Sequence, residues 1–421
     1  MKHNILVIGG GGREHAIVYA LSRSPKVGKI YCAPGNAGIA QLAECHSEIK
    51  ATDLEGVVAF VRSHPDIYMT VVAPDDPLAA GLVDKLESEG FRAFGPRANA
   101  ARLEASKSFA KDLMKKYGIP TAGYEVFTEY AEAEKYLDSC SYPTVLKADG
   151  LALGKGVLIC ETKEQAKAGL KEIMLDKAFG SAGNTLVIED FLVGFECSAL
   201  AFCDGKTIVP MTTSQDHKRA LDDNKGLNTG GMATFSPSYK VSEAMEKRIF
   251  NEVLAPTLNA LNSEGIEFKG VLYAGLMIDG DNIKVLEYNA RFGDPETQVI
   301  LPRLKTDLFD IFEACVDGTL ADLEIKWTGN TAVCIITASG GYPEAYEKNK
   351  EITFGELDDD IIVYHAGTAI KNGKLVTSGG RVLGVTALAP TLAEARDHAY
   401  ANVAKVRFDK MHYRKDILKD L

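Results

Sequence analysis

Through the N-terminal quarter of the chain, short apolar runs alternate with stretches of helical periodicity. Residues 4–8, 29–33, 68–72 and 91–94 are compact apolar runs of strand length. Between them, residues 14–22, 54–63 and 78–89 repeat apolar side chains every three or four positions, which gives a helix one face to bury. This rhythm predicts a parallel sheet with helices on its faces, whose ligands sit at the carboxyl ends of the strands.

Beyond this unit the pattern changes. Residues 106–117 predict an amphipathic helix opened by a Ser106 cap, with Lys107 in its first turn, where a cation opposes the helix dipole. Residues 144–147 and 157–160 read as two strands flanking a loop with glycines at 150, 154 and 156. A hairpin flap with Lys147 at its base and Lys155 at its tip can close backbone donors over phosphates. A Walker A loop is excluded, because Asp149 and Gly156 stand where it needs glycine and serine or threonine. Helix 163–175 and strand 185–189 complete a small α+β unit, and a new strand follows at 196–200. Helix 242–262 precedes a hairpin of strands 270–278 and 283–288. After Trp327 come short strands at 331–338, 361–365, around 376 and at 381–385, then helix 391–405, which predicts a separate small α+β domain from about residue 328.

Composition narrows the function classes. A formal charge of −11 argues against a general nucleic-acid binder or a membrane-surface protein. Eight cysteines without a C-x-x-C pair argue against a zinc site or a disulfide framework, so free thiols are expected. No apolar run approaches the ~20 residues of a spanning helix, and the expectation is a cytoplasmic protein. At 421 residues the chain has room for roughly two to four domains.

The candidate chemistry lies mostly at strand ends. Gly9-Gly-Gly-Gly-Arg-Glu-His15 follows the first strand, and its glycines allow close approach of an anion to a helix N-terminus. It fails as a dinucleotide fingerprint, since Glu14 or His15 fills the third glycine position and no acid ends the second strand. It is either a phosphate-sized anion site or a tight strand–helix turn. The loops at 33–38 and 73–78 share its edge of the sheet, so the three together predict one small-molecule pocket. His46 and His64 are read as structural. Val285 to Gln298 carries the densest pattern. On a strand, Glu287 and Asn289 share one side while Tyr288 takes the other, and two oxygen donors so placed suit a hard cation carrying phosphate. Arg291, Gly293 and Asp294 follow at once, and Arg291 can clamp a carboxylate or phosphate. The alternative is a charged strand end. The connector at Glu189, Asp190, Phe191 and Leu192 can offer backbone groups to a purine edge and a ring to its face, with Glu196 for ribose hydroxyls. Ser214-Gln-Asp-His-Lys-Arg219 and Asn228-Thr-Gly-Gly-Met232 bracket a polar loop too rich in reactive side chains for a linker.

Flap lysine, connector, Glu-x-Asn, and then Arg291-Phe-Gly-Asp-Pro-Glu-Thr-Gln298 in this order resemble the ATP-grasp carboxylate–amine ligases, and among them the phosphoribosylamine–glycine ligase family. The resemblance extends from Gly10-Gly-Gly-Arg-Glu-His-Ala16 through 33–38, 147–152, 214–219 and 228–232 to His365-Ala-Gly-Thr368 and Gly379-Gly-Arg-Val-Leu383. It implies a multidomain protein of α/β and α+β class. An N-terminal Rossmann-like, pre-ATP-grasp domain would span 1–102. A two-lobed ATP-grasp domain would span 103–327 with a lid at about 121–192, and a C-terminal α+β domain 328–421. It further implies ligation of glycine to 5-phosphoribosylamine with ATP, through glycyl phosphate, and Mg²⁺ or Mn²⁺ on Glu287 and Asn289. Lys107, Lys147, Gly154, Gly156, the 189–192 connector and Glu196 would hold ATP. Arg291, Lys147, Asp216 and Lys218 would be catalytic. Gly11, Gly12, Arg13, Glu14, Gly35, Asn36, Asp75, Thr229, Gly230, Gly293 and Asp294 would join Arg291 around the substrates. The chain departs from the family pattern at Asp75, Asp190, Phe195, Leu227, Ala233 and Ser378. The expected partners are these small molecules, with no nucleic acid or membrane, in a monomer or small homo-oligomer. Competing readings are an ATP-grasp ligase with another acid or amine, and a nucleotide-binding regulator without turnover.

Overall fold

The structure is a computed structural model and describes residues 2–151 and 156–421. Gly154 and Lys155, expected in the flap, lie outside the described residues.

The N-terminal unit is a five-stranded parallel sheet in the order Glu44–Cys45, Val27–Pro34, His3–Gly9, Ile67–Val72, Ala93–Phe94. Ile5, Leu6, Val7 and Ile8 are fully buried in succession, as a strand covered on both faces requires. The single helix expected at 78–89 is two, Asp75–Ala79 and Leu82–Ser88. Gly81 between them has φ +86°, a left-handed conformation that stops a right-handed helix. Helix Ala98–Ala105 was not foreseen, because its buried side chains are only Ala100, Ala101 and Leu103 and give little apolar contrast.

The lid is a four-stranded antiparallel sheet in the order Tyr124–Phe127, Leu186–Asp190, Thr144–Ala148, Val157–Cys160. Helices Tyr130–Leu137 and Lys163–Leu170 pack against it, the second continuing as a π-helical turn, Lys171–Leu175. Its core, built on Leu137, Leu146, Ala148, Leu170, Ile173 and Ile188, is separate from the others.

The larger lobe is another antiparallel sheet, Ile208–Pro210, Phe195–Asp204, Lys269–Asp279, Asn282–Asn289. It does not have its own core. Leu6 and Ile8 of the N-terminal sheet cluster with Ala199, Leu272 and Val285, while Ile5 and Val7 cluster with Leu200, Phe202 and Phe309. Phe94 stacks on Phe312 of helix Leu308–Asp317 at 4.0 Å. These shared cores bind the N-terminal unit and the larger lobe into one body, against which the lid stands apart.

In the hairpin, Glu287 pairs with Gly275 but Val285 pairs with Leu276, leaving Leu286 as a bulge. Bulges re-aim neighbouring side chains, and this one sits directly before Glu287.

The C-terminal sheet runs Gln215–Asp216, Ala233–Ser236, Thr331–Ser339, Arg381–Ala389, Ile362–His365, with helix Leu392–Val403 packed on it. The chain therefore commits two strands to this sheet well before residue 328. Ala233–Ser236 alternates apolar and polar residues, but the run is only four residues long and all four are buried, so it does not stand out from the polar loop before it. Among the described residues, no helix is long and apolar enough to cross a membrane.

Leu146→Ala should cost about 2–5 kcal/mol, the range for a fully buried leucine. Because the lid core is separate, hydrogen exchange should quicken across the lid strands while the N-terminal sheet exchanges as before. Uniform quickening in both would contradict a separate lid core.

Candidate active site

All four parts meet at a cavity of about 500 Å³. The N-terminal unit contributes Arg13 and Asp75, and the helix Lys107–Tyr117 contributes Lys107 and Lys111. The lid adds Lys147, Gly156 and Glu189. Asp216, Lys218, Thr229, Gly230, Glu287, Asn289, Arg291, Asp294 and Glu296 come from the larger lobe and the strands around it, and Tyr342 and Arg381 come from the C-terminal part. Residues far apart in sequence are thus brought to one wall because strand ends, helix N-terminus and lid base converge there.

One end of the cavity is rich in ammonium groups. Ser106 caps its helix by accepting from the Phe109 N–H at 3.2 Å, which fixes Lys107 as the first helical residue. Lys107 Nζ donates to Gly150 O at 2.9 Å, and Lys147 Nζ donates to the bulged Leu286 O at 2.9 Å. Glu189 is buried between Lys147 at 2.9 Å and Lys111 at 2.8 Å. Its carbonyl accepts from Thr144 Oγ1 at 3.0 Å. Glu189 thus organises lysines, while the connector continues past the strand end as Phe191, 37% exposed, and Leu192. Asp190, Phe191, Leu192 and Glu196 lie off the cavity wall, and the Glu196 carboxylate is paired with Lys218 at 2.5 Å. Burial pulls Lys111 down to about 8 despite Glu189, and burial also draws Lys107 below the ordinary lysine value, with Lys147 adding to the effect. The local excess of positive charge is suited to an anion.

Glu287 stands in the field of four cations. Burial works to raise its carboxyl, but Lys218, Lys147, Lys107 and Arg291 outweigh this and hold it below the ordinary glutamate value. Tyr288 turns away and hydrogen-bonds Thr257 at 2.6 Å, so Glu287 and Asn289 share the cavity side. An ionised carboxylate beside an amide oxygen fits a hard divalent ion that takes its remaining ligands from phosphate and water. Among the described residues, no cluster of three His, Cys, Asp or Glu could hold a metal by protein groups alone.

Arg291 is held through both terminal nitrogens, its Nη1 donating to Phe292 O at 3.2 Å. Its Nη2 donates to Glu104 Oε1 at 2.6 Å and to Asn289 Oδ1 at 3.1 Å, and the other Glu104 oxygen accepts the Ala290 N–H at 2.8 Å. Its Nε is buried without a hydrogen-bond partner among the described residues. Nearby, Glu296 is buried and accepts from Tyr273 at 2.7 Å. Burial pushes the Asp216 carboxyl up to about 7, with Glu296 and Glu196 opposing the pull of Lys218.

A second cavity of about 380 Å³ adjoins the first and shares Asp294, Tyr342 and Arg381 with it. Gly10, Gly11, Gly35 and Asn36 line it with Gly367, Thr368 and Gly379. A Cβ on Gly10 would lie 2.5 Å from Gly35 O, so the two loops can approach only with glycine there. Two residues expected at the substrate have internal partners instead. Glu14 accepts from the Gly11 N–H at 2.6 Å and from Arg13 at 2.5 Å. Asn36 bridges Gly10 O at 2.9 Å and His365 O at 2.8 Å, tying the two chain ends together. Gly12 packs on Gln298, Gly293 packs on Glu296, and neither lines a cavity described here. Asp294 is held ionised by Arg381 and Arg13 against burial, and Arg381 Nη1 also donates to Gly230 O at 2.7 Å.

Glu104, Lys111, Tyr273, Glu296, Tyr342 and Arg381 were not anticipated. Lys111 lies four residues after Lys107 and therefore on the same helix face, a legible signal. Glu296 and Arg381 sit inside motifs already marked in the sequence. Glu104 and Tyr273 gave no local signal.

Two antiparallel-sheet lobes meeting at a cavity lined by Lys107, Lys147, Glu287 and Asn289 are the arrangement of an ATP-grasp ligase. Family models agree: the phosphoribosylglycinamide synthetase N domain matches residues 3–104, its ATP-grasp (A) domain 105–297 and its C domain 332–420. The chain belongs to the phosphoribosylglycinamide synthetase family. It is 48% identical to a phosphoribosylamine–glycine ligase of Caldanaerobacter subterraneus subsp. tengcongensis, covering 98% of this chain and 99% of that one. It is 46% identical to the trifunctional purine biosynthetic protein adenosine-3 of Gallus gallus over 99% of this chain and 42% of that protein. A crystal structure of phosphoribosylamine–glycine ligase from Thermotoga maritima aligns with TM-score 0.85 at 35% identity, over 98% of this chain and 99% of that one. A Campylobacter jejuni biotin carboxylase shares the fold alone, with TM-score 0.78 at 12% identity over 100% of this chain and 97% of that one.

Removing Glu104 takes from the Arg291 guanidinium its hydrogen-bonded anion at a site where the two side chains are 8% and 17% exposed. Glu104→Ala should therefore destabilise the ligand-free protein by about 3–5 kcal/mol in denaturant titrations. Glu104→Gln keeps an acceptor and should lose less; equal losses would contradict a charge-based role.

Proposed function

We infer that the chain joins glycine to 5-phosphoribosylamine with ATP, giving glycinamide ribonucleotide, ADP and phosphate in purine biosynthesis. The observation that carries the chemistry is the arrangement around Glu287. Lys218, Lys147, Lys107 and Arg291 together hold its carboxyl below the ordinary glutamate value against burial.

The difficulty of the reaction is that a carboxylate must reach the γ-phosphoryl group. One charge against two at ~4 Å repels by about 8 kcal/mol at an effective dielectric near 20. Lys107 and Lys147 neutralise the triphosphate, and the Arg291 guanidinium at the cavity wall takes the glycine carboxylate and aligns one oxygen for in-line attack. Glu287 and Asn289 would hold a divalent ion, Mg²⁺ or Mn²⁺, which would supply charge neutralisation between the two anionic reactants. Asp190–Leu192, which follow Glu189 just off the cavity wall, receive the adenine as it extends beyond that wall, with Phe191 against its face. The carboxylate oxygen bonds to phosphorus as the ADP bridging oxygen leaves, giving glycyl phosphate. Closure of the lid keeps water from this acyl phosphate. The nitrogen of 5-phosphoribosylamine, its phosphate in the glycine-loop cavity, then attacks the carbonyl carbon and phosphate departs. Asp216, whose carboxyl burial pushes up to about 7, accepts the amine proton.

ADP release should require glycine and 5-phosphoribosylamine generated in place, and should stop when the divalent ion is chelated. Glu287→Gln should lower kcat/KM by about 100-fold or more, some 2.7 kcal/mol of transition-state stabilisation. An unchanged rate would exclude Glu287 from the cation seat. A preference for another acid or amine across a substrate panel would redirect the substrate assignment without touching that seat.

A further inference from the structure

Cys32 and Cys45 stand directly opposite each other on neighbouring parallel strands, Val27–Pro34 and Glu44–Cys45. In-register residues of a parallel pair project to the same face, and both thiols pack in the same apolar cluster. Adjacent strands lie about 4.8 Å apart, inside the 4.4–6.8 Å Cα range that a disulfide spans. Gly35 lies over the pair: a Cβ there would collide with Cys45 Sγ and lie 3.7 Å from Cys32 Cβ. Cys32 Sγ donates to Gly9 O at 3.3 Å, so the thiols sit beneath both glycine loops of the second cavity.

We propose that Cys45 and Cys32 form an oxidisable dithiol which a hydroperoxide converts to a disulfide, distorting the glycine-loop cavity above it. Their chemistry is unequal in the required sense. Cys45 lies below the ordinary thiol value because the single Cys32 S–H proton can turn from Gly9 O to the Cys45 sulfur, with the Asn36 N–H adding to this against burial. Cys32 is pushed well up by Cys45 and by burial, and stays protonated. Cys45 is half-buried and reachable, whereas Cys197, Cys203, Cys315 and Cys334 are buried, and burial pushes Cys197 and Cys334 up to about 12. The Cys45 thiolate attacks the terminal peroxide oxygen, giving a sulfenic acid, and the departing alkoxide or hydroxide takes up a proton. Cys32 sulfur then attacks Cys45 sulfur. The S–S bond forms, and the sulfenic oxygen leaves as water with the Cys32 proton. Two thiols and one hydroperoxide thus become one disulfide, one alcohol or water, and one water. The new bond ends the Cys32 donation to Gly9 O and draws Cys45 across beneath Gly35. That the displaced loops belong to the phosphoribosylamine site rests on the function inferred above; the thiol chemistry does not.

The test uses the full-length protein treated with hydrogen peroxide. Two of its eight thiols should disappear, and peptide mapping should place the disulfide between Cys32 and Cys45. KM for 5-phosphoribosylamine should rise by about tenfold or more, and dithiothreitol should reverse it. Cys45→Ser should match the untreated parent and resist peroxide. In Cys32→Ser, oxidation should stop at a sulfenic acid on Cys45 that dimedone traps, which keeps the proposal testable if the first variant fails to fold. Eight surviving thiols, a different pairing, or equal inactivation of Cys45→Ser would overturn it. A Cys32–Cys45 disulfide with unchanged kinetics would overturn the effect on the cavity alone. Absence of glycine-dependent turnover before any treatment would instead fault the functional reading.

Discussion

Charge repulsion between two anionic reactants is the constraint on which the architecture depends. Cations must be concentrated where water is scarce, yet a cluster of bare cations cannot be buried. The structure answers by pairing each cation incompletely. Glu189 serves both Lys111 and Lys147, Glu104 engages one face of Arg291, and Lys218 is shared between Glu196 and, at 4.0 Å, Asp216. Enough positive field survives to keep the Glu287 carboxyl ionised against burial. The depressed lysines show the cost of this arrangement, since Lys111 and Lys107 both fall below the ordinary value through burial.

Such a site needs walls that differ in mobility. The N-terminal sheet and the larger lobe share two cores, which fixes Arg13, Asp75, Glu287 and Arg291 in one frame. The lid has a core of its own, so Lys147 and Glu189 can move with it as a unit. The C-terminal part is fastened differently, by strands lent from 215–216 and 233–236, and Arg381 reaches back to Asp294 O at 2.7 Å. A boundary drawn at a change in composition misses such lending, because strands of two and four residues are too short to stand out as periodic runs.

Much of the site was legible because its residues lie in short local motifs. Alternation along a strand correctly set Glu287 and Asn289 apart from Tyr288, and the serine cap located the start of the Lys107 helix. The residues that complete the electrostatics were harder. Glu104 lies in an alanine-rich helix and acquires its meaning only from Arg291, 187 positions away. Tyr273 looks like a core aromatic until Glu296 is seen beside it. Conversely, Glu14 and Asn36 belong to motifs that suggest ligand contact, yet Asn36 Oδ1 is engaged by backbone N–H groups of its own loop and the Glu14 oxygens by the Gly11 N–H and the Arg13 side chain. Spacing reports which residues share a face; it does not report which polar atoms are already partnered.

The central claim is that the cavity lets a carboxylate oxygen attack phosphorus directly. Its most direct test is a turnover with glycine labelled with oxygen-18 in the carboxylate, followed by mass analysis of the released phosphate. The account requires one labelled oxygen in each phosphate. Phosphate free of label, alongside normal formation of product, would show that the two anions never share a bond and that the arrangement around Glu287 and Arg291 serves another purpose.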